Sequence, residues 1–268
     1  MSYENLNNRQ REILEYIESK KTASYLELES KFDVSNMTIR RDIDFLAQEE
    51  LVIKTLGGAQ LAKSINDVYE SPVANRLSIN GAEKKAIAIE ASNYIEPGEI
   101  IYLDGSSTCL ELAKKIAEQS KALTIVTNSL LIHMELARSS NISIVSLGGQ
   151  YDPVSCCLTG PNTEEHAHKY FVKKAFFSTK GFSPSVGTFE SSAETFRIKQ
   201  ILASHCDEVI LLADHTKFGQ KSLCKVFDIS QIHTVITDSG LDNDNRVVLE
   251  ANVAKVITAQ LKESVANF

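Results

Sequence analysis

The chain has 268 residues, 43% of them hydrophobic and 24% charged, with 28 Lys/Arg against 35 Asp/Glu for a formal net charge of −7. That is ordinary globular composition, long enough for one small and one larger domain. No apolar run approaches the roughly 20 residues needed to span a bilayer, and the opening MSYENLNNRQ has no apolar core, so neither a membrane span nor a signal peptide is expected. The five cysteines include no Cys-x-x-Cys pair, which fits reduced thiols in a cytoplasmic protein. His166, His168 and the Cys156-Cys157 pair lack zinc-finger spacing, and neither a metal nor a cofactor is expected.

In chain order, Asn8 to Lys20 carries Ile13, Leu14 and Ile17 at helical offsets. Ser24-x-x-Glu27 is a capping box that opens a short second helix with Leu28 and Phe32 on one face. Asp33 and Val34 make a tight turn before a third helix, for which Ser35 is expected to supply the capping oxygen. Ile39, Ile43 and Leu46 form its buried stripe, while Asn36, Met37, Arg40 and Arg41 lie opposite, with Thr38 in the first turn. Leu51 to Thr55 is β-rich, and Gly57-Gly58 allows the positive φ angles of a hairpin turn. Helix, turn, helix and hairpin in this order make a winged helix-turn-helix.

A helix that packs by one stripe and presents Arg and Asn on the other can enter a major groove, where Arg pairs with guanine and Asn with adenine. The candidate DNA-binding residues are therefore Ser35, Asn36, Met37, Thr38, Arg40, Arg41 and Lys54, the last placed to neutralise a phosphate from the wing. Residues 1–62 hold eight Lys/Arg against eleven Asp/Glu, unlike the basic balance of most DNA-binding domains. Any positive face is thus local, and binding to double-stranded DNA should be modest in its non-specific part and salt-sensitive.

Residues 62–80 lose periodicity and contain a proline, so the linker is placed there, between a DNA-binding domain over 1–61 and a larger domain over 81–268. In the larger domain helices (83–95, 109–119, 130–138, 193–205) alternate with strands (99–103, 123–127, 142–147, 174–178, 208–213 and a last one at 234–237), and 148–173 looks irregular. Strand alternating with helix implies an α/β domain with a mainly parallel sheet. Ligands bind such sheets beyond the carboxyl ends of the strands. The residues there are Asp104, Ser106, Ser107 and Thr108; Asn128 and Ser129; Gly148 and Gly149; Lys180 and Gly181; and Asp214 and Lys217. Hydroxyls before a helix start, exposed glycine backbone and two lysines suit an anion, and the acids and amides suit hydroxyls. The set fits a phosphorylated sugar or polyol. Each residue also has a plain structural use, as a helix cap or a turn former. His133, His166, His168 and His233 are read as surface or packing histidines, and Tyr102, Phe176 and Phe177 as core.

Both halves resemble the DeoR family of bacterial transcriptional regulators. The resemblance rests on VSNMTIRRDIDFL followed by LGGA, and on Lys84-x-x-Ile87-Ala88, Leu103-Asp104, Thr127-Asn128-Ser129, Leu147-Gly148-Gly149 and Ala213-Asp214-x-x-Lys217-Phe218-Gly219. It implies a sensor domain related to ribose-5-phosphate isomerase and CoA transferases. It also implies repression of a sugar or polyol operon, relieved by a phosphorylated pathway intermediate. Three positions depart from the family: Glu50 and Ser106 stand where glycine is usual, and Leu56 where histidine is usual.

The rival reading is an isomerase or CoA transferase carrying an extra N-terminal domain. Sugar isomerisation needs a base near a carbon-bound proton, and Ser178-Thr179-Lys180-Gly181 has no carboxylate. Glu190 or Glu194 could be offered as a transferase nucleophile, without a supporting motif, and an inert adaptor is a third option. The expectation is a regulator, not an enzyme, with no catalytic residue, acting as a homo-dimer or homo-tetramer on paired half-sites.

Overall fold

The structure, a computed structural model, describes residues 6–20, 22–49, 51–55, 57–61 and 72–261. Glu50 and Leu56, two of the three departures noted above, lie outside the described residues. The chain divides into two compact units, residues 1–69 and 70–268.

The first unit holds α1 (Asn8–Lys20), β1 (Thr22–Ser24), α2 (Tyr25–Phe32), α3 (Asn36–Gln48), β2 (Val52–Thr55) and β3 (Gly58–Leu61). Its core is the stripe set expected from spacing: Ile13, Leu14, Ile17, Leu28, Ile39, Ile43 and Leu46, joined by Ala23, Val52 and Ala59. The capping box of α2 is formed, with Glu27 N bonded to Ser24 Oγ at 3.2 Å and Ser24 N to Glu27 Oε2 at 2.8 Å. Buried Asp42 ties α3 back to α1, accepting from Arg9 Nε at 2.7 Å and Gln10 Nε2 at 3.3 Å.

Two expectations are corrected here. The wing has three strands, in the order β1-β3-β2, because Thr22–Ser24 pairs with Gly58–Gln60. Gly58 is then a paired strand residue, not a turn residue. Glycine is needed there for close approach, since a Cβ would fall 2.1 Å from the Ala23 carbonyl oxygen.

In chain order the second unit comprises α4 (Val73–Ser78), α5 (Gly81–Asn93), β4 (Ile100–Leu103), α6 (Ser107–Ala117), β5 (Leu123–Thr127), α7 (Leu130–Leu136), β6 (Ile142–Ser146), β7 (Gln150–Asp152), β8 (Cys157–Thr159), α8 (Pro161–Ala167), β9 (Val172–Phe177), β10 (Gly181–Ser183), β11 (Gly187–Glu190), α9 (Ala193–Ser204), β12 (Cys206–Leu212), β13 (Cys224–Asp228), β14 (Thr234–Asp238), α10 (Asn243–Asn252) and β15 (Lys255–Ala259). Seven of the strands form one parallel sheet, ordered β15-β14-β12-β9-β4-β5-β6. Alternation along β4 sends Ile101 and Leu103 into one apolar cluster with α5, α6 and α7, and Tyr102 into a second with α8, α9 and α10. Covering both faces is what a parallel sheet requires.

Several short elements escaped sequence reading. Strand β15 follows α10, so 234–237 is not the last strand. The stretch read as irregular holds the hairpin β7-β8 and α8. Strands β10, β11 and β13 make a separate antiparallel sheet, and α4 lies inside the span assigned to the linker. Elements of three to seven residues carry too few repeats of a hydrophobic pattern, at most about two helical turns, to stand out from chance, and tertiary bonds fix them. Helix α4, for instance, is tied at its start by Val73 N to Val154 O at 2.8 Å.

Candidate DNA-reading face and effector site

Helix α3 presents Ser35, Asn36, Met37, Arg40 and Arg41 to solvent, with Thr38 half-buried, while Ile39, Ile43 and Leu46 on its other side are fully buried. Ser35 occupies the cap position, but its hydroxyl does not cap the helix. It lies 3.0 Å from Thr38 Oγ1 instead, so the expected cap is absent. Arg40 Nε donates to Asn36 Oδ1 at 2.5 Å, Asn36 Nδ2 donates to Glu29, and the Arg40 guanidinium stands 4.3 Å from the centre of the Tyr25 ring. Those two candidate readers are therefore pre-positioned by each other. Lys54 is not a free wing cation: it pairs with Asp44 of α3, which raises its pKa. Such an exposed pair is weak, so a phosphate can displace Asp44.

At the strand ends the sequence-derived residues separate into groups with different physical roles. Asp104 is buried and fully engaged. Its Oδ1 accepts from Ser106 N at 3.0 Å, and its Oδ2 accepts from Ser178 N at 2.9 Å and pairs with Lys199 Nζ at 3.1 Å. Lys199, from α9, also donates to Ser178 O at 2.7 Å and to Glu190 Oε1 at 2.5 Å. Burial works against both charges. Even so, Glu190 and Asp104 raise the Lys199 pKa, while Lys199 and the bonds from Ser106 and Ser178 lower that of Asp104. Sequence reading missed Lys199, because a lysine between Ile198 and Gln200 on an amphipathic helix carries no distinguishing pattern.

Ser106 caps α6 through Cys109 N at 3.1 Å. Ser107 and Thr108 are buried, and Thr108 Oγ1 lies 3.4 Å from Ser178 Oγ. The Asn128 side chain is consumed within the fold, accepting from Tyr102 Oη and donating to Leu158 O, both at 3.0 Å. Ser129 caps α7 through Ile132 N at 3.4 Å. Gly148 and Gly149 serve packing. Gly149 has φ +146°, a Cβ on it would meet Thr163 Oγ1 at 1.8 Å, and Thr163 donates to Gly148 O at 2.7 Å. They follow β6, which lies four interstrand steps from β12, roughly 19 Å. One small ligand does not reach both ends of that row, so Gly148 and Gly149 do not join Asp214.

The ends of β9 and β12 do come together. Gly181 abuts the loop after Lys217, since a Cβ would sit 2.5 Å from Gln220 O, and Gly219 N donates to Phe182 O at 2.9 Å. Lys180 immediately precedes that contact and is half-buried. Asp214 is buried, and its Oδ1 accepts from Asn80 Nδ2 at 3.0 Å and from Thr216 N at 3.1 Å. Its Oδ2 is buried without a hydrogen-bond partner among the described residues. Beside it lie Lys217 and buried Lys84, whose pKa falls to about 8 through burial first and the nearby Lys217 second, with Asp214 opposing and Arg76 adding to the drop. Lys84 entered the sequence reading only as part of a motif, and Arg76 and Asn80 did not enter at all. This is the arrangement that can take an anion: several cations, few carboxylates, and an acceptor left open for a hydroxyl.

A surface hollow of about 350 Å³ among Gly98, Ala122–Thr124 and Ser140–Ser143 lies at the opposite, amino ends of β5 and β6, away from where such sheets bind ligands. Among the described residues no His/Cys/Asp/Glu group could hold a metal ion, and no helix is long and apolar enough to cross a membrane.

Two family models match this chain: the DeoR-like helix-turn-helix domain over residues 9–65 and the DeoR C terminal sensor domain over residues 79–239. The chain belongs to the DeoR family. A relative from Bacillus subtilis (strain 168), the uncharacterized HTH-type transcriptional regulator YulB, is 33% identical over 95% of this chain and 97% of its own. The L-fucose operon activator of Haemophilus influenzae is 29% identical over 89% of this chain and 94% of its own. Among solved structures, ribose 5-phosphate isomerase A from Methanocaldococcus jannaschii matches 50% of this chain and 53% of that one at 17% identity, with a TM-score of 0.38. The protein is thus a DeoR-family DNA-binding transcriptional regulator, a winged helix-turn-helix joined to an α/β sensor domain.

Proposed function

We propose that the protein represses a sugar or polyol catabolic operon and leaves its operator when a phosphorylated sugar intermediate binds the sensor domain. The observation that carries this reading is the cluster of Lys84, Lys217 and Arg76 around Asp214 at the strand ends, in a chain whose other unit exposes Arg40 and Arg41 on a helix with a buried back. The cations hold the phosphate, and Asp214 and Lys180 bond the sugar hydroxyls. Two heads on paired half-sites imply a homo-dimer or homo-tetramer, and operator binding places the protein in the cytoplasm. A thermal-shift screen against hexose and polyol phosphates tests the effector, because a specific ligand raises the melting temperature by mass action. No shift with any of them removes the phosphosugar reading. A reporter assay gives the sign of control; activation, as in the name of the Haemophilus influenzae relative, replaces repression.

The same reading makes the sensor non-catalytic. No carboxylate stands in Ser178–Gly181, and the Glu190 carboxylate faces Lys199, a charge that blunts it as a base or nucleophile. The Glu194 side chain lies outside the described residues. Turnover of a sugar phosphate by the purified protein overturns this part.

A further inference from the structure

Lys84 holds together the segment through which the sensor joins the DNA-reading unit. Its ammonium donates to the carbonyls of Arg76 at 2.5 Å and Ile79 at 2.6 Å. Those carbonyls lie at and just past the end of α4, where a helix leaves its last carbonyl oxygens without internal donors. Six-residue α4 is too short to persist alone and depends on such ties. The next residue, Asn80, sits at φ +52° and spans to Asp214 Oδ1 and Thr216 Oγ1, both at 3.0 Å. The chain therefore passes directly from α4 to the cation cluster, and residues 62–72 connect the wing to α4.

The ammonium is also poorly compensated. An ammonium has three donors, and only two acceptors are present among the described residues. Among the described residues no carboxylate touches it, while Lys217 and Arg76 add like charge against Asp214, and Glu111 offsets least. A buried cation in that state gains more from an oxyanion than from two neutral carbonyls, because charge-assisted bonds are the stronger kind.

We propose that Lys84 is a direct contact for the effector's anionic group, and that in taking it up Lys84 releases the carbonyls of Arg76 and Ile79 and loosens α4 and the chain leading into it. This rests on the reading that a phosphorylated ligand occupies the Asp214–Lys217 site. It adds the route by which occupancy reaches the DNA-reading unit: the ligand competes for the cation that ends α4.

Hydrogen–deuterium exchange on the full-length protein tests it, with inorganic phosphate as the probe and potassium chloride at equal ionic strength as the control. Phosphate should speed exchange across residues 73–80 several-fold. Lys84→Gln should exchange fast there without phosphate, show no further response, and bind phosphate about tenfold more weakly. Lys217→Gln should weaken binding while leaving unliganded exchange at 73–80 as in the wild type. Phosphate binding with unchanged or slower exchange at 73–80 overturns the inference and leaves the site reading intact. The wild-type measurement decides this even if Lys84→Gln does not fold. Absence of binding by inorganic phosphate and by every hexose or polyol phosphate overturns both.

Discussion

Two buried lysines at the same end of the sheet meet opposite fates. Lys199 faces two carboxylates and a carbonyl, and its pKa rises. Lys84 faces two carbonyls and nearby cations, and its pKa drops to about 8. Burial disfavours both charges, so the difference comes from their partners. A closed ion network has no capacity left for a ligand and serves to lock β4, β9, β11 and α9 together. An under-compensated cation is the place where an arriving anion lowers the free energy most. Most of the strand-end polar groups follow the first pattern, which is why the candidate site contracts to the β9 and β12 ends.

The largest effect should come from opening the closed network. Lys199→Met leaves Asp104 and Glu190 buried without their cation and should destabilise the protein by about 3–5 kcal/mol, read from urea unfolding. A loss under about 1 kcal/mol would mean that the network is not what holds these elements together. Next, Arg41→Ala should cost operator affinity by about 1–3 kcal/mol in a mobility-shift titration at fixed salt, with an unchanged melting temperature. Arg41 is exposed and makes no bond or ion pair within the described residues, so lost affinity reports DNA contact alone.

The comparison also predicts a pH response confined to the open site. Phosphate affinity should fall about tenfold per pH unit above roughly 8, as Lys84 loses its proton beside Lys217, Asp214, Arg76 and Glu111. Stability should move the other way. The folded pKa of Lys84 lies below its unfolded value near 10.4, so the unfolded chain binds more protons between about 8 and 10.4, and Lys84 contributes a rise in stability with pH across that window. Lys84→Gln should flatten both profiles, measured by calorimetry and by urea unfolding, while Lys199 stays silent over the same range. The smallest effect belongs to the exposed Lys54–Asp44 pair. Asp44→Ala should change stability by less than about 1 kcal/mol and strengthen DNA binding slightly by freeing Lys54, seen as a steeper salt dependence.

Much was decided by local pattern. The stripes of α1 and α3, the capping box at Ser24, and the strands read at 123–127, 142–147 and 174–178, observed at 123–127, 142–146 and 172–177, follow from periodicity and side-chain chemistry confined to a few neighbouring residues. So did the exposure of Asn36, Met37, Arg40 and Arg41, since a helix with one apolar stripe must present the rest. The strand-end rule singled out one edge of the sheet without saying which residues there remain unspent.

Only tertiary structure settled that. Whether Asp104 is an acceptor for ligand or half of an ion pair depends on Lys199, which lies 95 residues further along the chain. Gly58 is required by the approach of β1, and Gly149 by Thr163. Lys84 becomes distinctive only once burial removes its water and Lys217 is folded beside it. Desolvation and long-range charge are properties of a packed neighbourhood, and a linear pattern contains neither.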